Sequence, residues 1–189
     1  RALGARLWSN LAALRVEAIE ESGSGGVRFR WRPASGFASV DHVLDPALSD
    51  GLLQGLTPRG AAPVWLGEPI AMMRAGGVVT LRGASVPPTT GQLWLHAAVQ
   101  ALEQVRKAAL GPLVSDDTLV LALPGSPAAF AAVLASPLSE AAGVGAVTQV
   151  ATPASGPQVV VNLAAASGAS ASWSAALLTH EAVHAVSRS

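Results

Sequence analysis

The chain has 189 residues, half of them hydrophobic and 13% charged, with 12 basic against 12 acidic residues and no net charge. That is enough apolar material for the core of one domain or two small ones, without the basic face of a nucleic-acid binder or the Lys/Arg stripe of a membrane-surface helix. The absence of cysteine excludes a disulfide scaffold, a thiolate metal site and a cysteine nucleophile.

Leu3, Leu7, Trp8, Leu11, Leu14, Val16 and Ile19 recur at near-helical spacing and predict a helix over residues 1 to about 21, stopped by Ser22-Gly23-Ser24-Gly25-Gly26. Val27-Arg28-Phe29-Arg30-Trp31-Arg32 alternates apolar with arginine, the period of a half-buried strand. Its three arginines share one wet face. A phosphate or acidic-partner site is the sharper meaning of that face, and a solvated sheet surface the one adopted. Val40 to Leu44 predicts a short strand whose His42 is a surface or packing residue; residues 45–62, rich in Gly, Pro and Leu, predict a loop with a turn of helix. Residues 63–66 and 70–74 predict a strand or hairpin arm, and residues 78–83 a strand across the Gly76-Gly77 turn.

Residues 1–84 therefore predict an α+β accessory domain, a helix plus an antiparallel sheet. A cystatin-like or nuclear-transport-factor-like cone is one fold with this element order. Val86-Pro87-Pro88 marks a linker over residues 85–89, since tandem prolines break helix and sheet pairing alike.

In the second half, Thr90 to Leu110 predicts a long amphipathic helix ended by Gly111-Pro112, with His96 a satisfied structural histidine. Residues 118–123 form a continuous apolar run, the mark of a strand buried on both faces. Ser126-Pro127 starts a helix through Leu134, and residues 144–151 and 158–163 predict a hairpin. Residues 164–172 are a small-residue loop in which Ser170 or Ser172 caps the last helix.

That helix carries His180-Glu181-Ala182-Val183-His184, the H-E-x-x-H spacing of zinc hydrolases. Residues four apart lie on one helix face, so two imidazoles reach a single Zn2+, and Glu181 beside them is placed to take a proton from a metal-bound water. Random placement of four histidines and seven glutamates gives this string on the order of once in three hundred such chains, so its helical, apolar context matters. The competing meaning is a buried amphipathic helix whose histidines only pack. No Ser/His/Asp triad emerges, and no glycine-rich phosphate loop precedes a helix, so no nucleotide cofactor is expected.

Helix, apolar strand, Pro-Gly-Ser helix, hairpin ending Val159-Val160-Val161-Asn162, then Leu178-Thr179-His180-Glu181-Ala182-Val183-His184: this order resembles the N-terminal part of a zincin metallopeptidase domain over roughly residues 90–189. It also resembles a group of bacterial gluzincin-like proteins, typically anchored outside the cytoplasmic membrane. The resemblance implies zinc ligands His180 and His184, catalytic acid/base Glu181, a peptide or protein substrate along the sheet edge, and an extracytoplasmic, cell-envelope location with room for an upstream membrane anchor. The family's third ligand is a glutamate on a later helix. No residue after His184 supplies it and Glu140 precedes the motif, so the expectation is a peptidase domain continuing past Ser189, with these residues alone inactive. The alternative, from another class, is a non-catalytic binding or assembly module of the envelope with a degenerate zincin-like fold.

Overall fold

The computed structural model describes residues 2–23, 25–33, 39–59, 62–108, 119–149 and 158–187. They form a mixed α+β molecule with two sheets. The first is antiparallel, in the order β1-β2-β3-β4, and consists of Val16–Glu21, Val27–Trp31, Val40–Ser49 and Leu52–Pro58. The second is mixed, in the order β5-β6-β7-β9-β8, and consists of Ile70–Ala75, Val78–Gly83, Leu119–Leu123, Gln158–Val161 and Ala146–Gln149. Six helices accompany them: α1 Ala2–Leu14, α2 Val64–Gly67, α3 Pro88–Lys107, α4 Pro127–Leu134, α5 Leu138–Ala141 and α6 Ala171–Ser187.

The first helix is shorter than its apolar spacing predicts. Arg15 takes a left-handed φ of 54° and ends α1, and Val16–Glu21 then pairs with β2 as a strand. Residues 45–62 also differ from the predicted loop. Most of them belong to the β3–β4 hairpin, which turns on Asp50-Gly51 at φ 53° and 73°, the doubly positive geometry that matches strand twist. Residues 63–66 differ from the predicted strand or hairpin arm: Val64–Gly67 is a single helical turn.

The Gly76-Gly77 hairpin of β5 and β6 forms as predicted, at φ 52° and 82°. Both strands, which the sequence groups with residues 1–84, hydrogen-bond into the second sheet; β6 runs parallel to β7, so this pairing spans residues 85–89. Pro87 and Pro88 serve as N-cap and first residue of α3.

All five residues of β7 are buried, as its apolar run predicts. Alternation sends Leu119, Leu121 and Leu123 to one face, with Val159 and Val161 of β9, against α3 and α6. Val120, Ala122 and Val160 face the other way. There they join Phe130 of α4, Leu11 and Leu14 of α1, Trp65 of α2, and Phe29, Trp31, Val40 and Leu44 of the first sheet. One core thus fills the space between the two sheets, and a second lies under α3 and α6.

Ser126 Oγ accepts the Ala129 N–H at 3.1 Å, the predicted cap of α4. Strands β8 and β9 pair antiparallel as predicted. The connecting residues 150–157 and the Gly111-Pro112 stop lie outside the described residues.

Candidate functional site

Helix α6 is positioned by its cap and by two flanks. Ser170 Oγ accepts the Trp173 N–H at 3.2 Å, so Ser170 rather than Ser172 is the cap. Leu178, Ala182 and Ala185 are buried against the second sheet, and Thr179 Oγ1 lies 3.3 Å from Gln104 Oε1 of α3. At about 100° per residue, His180 and His184 then fall on the outer face and Glu181 on the flank between the two faces.

That geometry is what the described residues adopt. Both histidines are exposed, whereas Glu181 is only 6% exposed. The rings of His180 and His184 stand nearly perpendicular, at 80° with centroids 4.6 Å apart, and their Nε2 atoms approach to 3.1 Å. Two imidazole nitrogens bound to one zinc at tetrahedral geometry sit about 3.3 Å apart, so the pair fits two ligand positions of such an ion. Both rings lie on the exposed side of α6, and the 3.1 Å contact is also the distance of a hydrogen bond from one ring nitrogen to the other.

Glu181 faces β8, the edge strand of the second sheet. Thr148 Oγ1 lies 2.6 Å from Glu181 Oε2 and 3.0 Å from the Glu181 carbonyl oxygen. Farther back along the helix, the Trp173 ring lies directly over Gly145, where an added Cβ would come within 3.1 Å of it. Helix and edge strand therefore run side by side over Gly145 to Thr148. Behind them, buried Asn162 closes the end of β9. Its Nδ2 donates to Ala141 O at 3.2 Å, and its Oδ1 accepts the N–H groups of Ala164 and Ala165.

No family model, curated protein or solved structure matches this chain.

Among the described residues, no group of three His, Cys, Asp or Glu side chains converges as a metal site, and His180 and His184 form a pair. The other histidines stand apart from the pair. His42 packs edge-on against Trp65, with centroids 5.6 Å apart, and burial pushes its pKa down to about 4 against the opposing pull of Asp41. His96 is exposed, with Nε2 3.1 Å from Gln100 Nε2 one turn along α3.

The arginines of β2 are matched on their own face. Arg30 makes a two-point contact with Asp41 at 2.9 and 3.1 Å, Arg28 lies 3.7 Å from the same carboxylate, and Arg32 Nε reaches Glu17 at 2.9 Å. Carboxylates already occupy the positions an acidic ligand would take, which leaves the solvated-face interpretation. Thr148 is the site residue that sequence reasoning missed. Its signal is slight: in Ala146-Val147-Thr148-Gln149, alternation puts this one hydroxyl on the face of Ala146, toward α6.

Proposed function

We propose that this chain carries the catalytic helix of a zinc-dependent peptidase. His180 and His184 would hold the ion, which would supply an activated water and polarise a peptide carbonyl, and Glu181 would be the proton acceptor for that water. The observation that supports this most is the 3.1 Å approach of two exposed imidazole nitrogens with a carboxylate on the residue between them in the turn. A catalytic zinc has a third protein ligand, and the reading assigns it to a residue outside the described ones. The extended peptide substrate lies along the outer edge of β8, which among the described residues pairs with β9 alone. By its resemblance to gluzincin-like proteins, the peptidase works outside the cytoplasmic membrane. Among the described residues no helix is long and apolar enough to cross a membrane.

Elemental analysis together with a peptide-hydrolysis assay tests this. The wild-type protein takes up about one zinc per chain, His180→Ala and His184→Ala each lose it, and Glu181→Gln keeps the metal while hydrolysis falls by roughly 10²-fold or more. Full hydrolysis by Glu181→Gln, or zinc retained without both histidines, overturns the reading.

A second reading, a binding or assembly module of the envelope, draws on the β3–β4 hairpin. Leu48 and Leu52 at its tip are 65% and 66% exposed and Leu53 47%, an apolar finger of the kind that partner surfaces cover. Absence of zinc uptake by the wild-type protein favours that reading.

A further inference from the structure

Where β8 packs beside α6, two polar side chains face each other: half-buried Thr148 and buried Glu181. Thr148 shares its strand face with Ala146 and pairs with Val159 across β8–β9, at the margin of the apolar cluster that includes Ala146, Val159, Leu178 and Ala182. A valine would fill the volume of Thr148 without a hydroxyl to satisfy, and a buried carboxylate is costlier still. The two groups satisfy each other. Thr148 Oγ1 has one proton and stands within reach of two acceptors on Glu181, the carboxylate at 2.6 Å and the main-chain oxygen at 3.0 Å. The edge strand therefore grips both the side chain and the backbone of Glu181, the residue directly after His180.

We propose that Thr148 is a positioning residue, which fixes the rotamer of Glu181 beside the turn that carries His180 and His184. The inference rests on the peptidase reading above. A long, unbranched Glu side chain has three rotatable bonds, and one short bond to a strand atom removes most of that freedom before substrate arrives. Because the grip comes from the strand along which substrate lies, displacement of β8 moves the proton acceptor with it.

The test is a cycle of variants in the full chain: Thr148→Val, Thr148→Ser, Glu181→Gln and Thr148→Val with Glu181→Gln. Each is measured for kcat, KM, zinc per chain and thermal midpoint. Thr148→Val should lower kcat by roughly 10- to 100-fold with KM changed less than about threefold and zinc retained, and Thr148→Ser should restore most of kcat. In the Glu181→Gln background, Thr148→Val should change the residual rate by less than about threefold, because the group it positions is already disabled.

Unchanged kcat in Thr148→Val overturns the inference while leaving the peptidase reading intact. So does an equal loss with and without Glu181, which is the mark of a general structural effect. A wild-type protein that binds zinc and hydrolyses no peptide overturns the peptidase reading and this inference with it. Should Thr148→Val fail to fold, Thr148→Ser and Thr148→Cys, which keep a smaller or weaker donor, give graded kcat values that must track donor strength at constant zinc content.

Discussion

His42 links a single side chain to the stability of the whole chain. Its imidazole stays neutral in the fold because its surroundings against Trp65 are poorly solvated, and its pKa is about 4 instead of 6.5. A histidine whose folded pKa lies below its unfolded value takes up protons on unfolding. Its contribution is therefore complete above about pH 6.5 and is lost as pH falls from there toward 4, with a full loss of about 3 kcal/mol. Denaturant titrations at pH 7 and pH 4.5 should show a steeper loss for wild type than for His42→Phe, by roughly 2 kcal/mol; equal slopes would refute the assignment. The same scale shows what one sequence can reveal of a site. His180, Glu181 and His184 are legible because one local turn of helix fixes their relation. Thr148 is 33 residues away in sequence and meets Glu181 only because α6 lies along β8, a tertiary fact that no local spacing encodes.

Elements with strong local signals were legible in the same way. The apolar run of β7, the Ser126-Pro127 start of α4 and the Gly76-Gly77 hairpin all form where chain chemistry puts them. Two regions were not. Val16–Glu21 continues the helical phase of α1 and also fits a strand, and pairing with β2 decides the matter after the backbone reverses at Arg15. In β3–β4, Pro46 and Gly55 mask strands whose true marker is Asp50-Gly51. The end of α4 gives a prediction at this scale. Ala135 occupies the left-handed C-cap with φ 53°, a conformation glycine adopts without a Cβ penalty. Ala135→Gly should stabilise the protein by roughly 0.5–1 kcal/mol in thermal or denaturant unfolding, against the usual cost of introducing glycine. A lower midpoint would mean that the contacts of the Ala135 methyl outweigh backbone strain.

At the scale of the molecule, the decisive feature is that one core is shared by both sheets. Leu14 and Leu44 are fully buried in it beside Val120 and Val160 of the second sheet. Leu14→Ala should cost about 3 kcal/mol and shift near-UV and far-UV transitions together, because residues on either side of the 85–89 segment bury the same surface. Separate transitions would show that the sheets unfold independently. The α+β class was readable from the sequence, but the sharing of β5 and β6 with the second sheet was not, since parallel pairing of β6 with β7 is closed across a helix and residues distant in sequence.

The outward-facing imidazoles of α6 have a consequence that holds whatever the chain's natural task. Nickel and copper favour imidazole nitrogen donors, and an ion held by both rings would bridge a turn that exists only while the helix is wound. Mass action then makes heat resistance rise with the logarithm of nickel concentration. Untagged protein should be retained on a nickel-charged resin, and both behaviours should vanish when either ring is replaced.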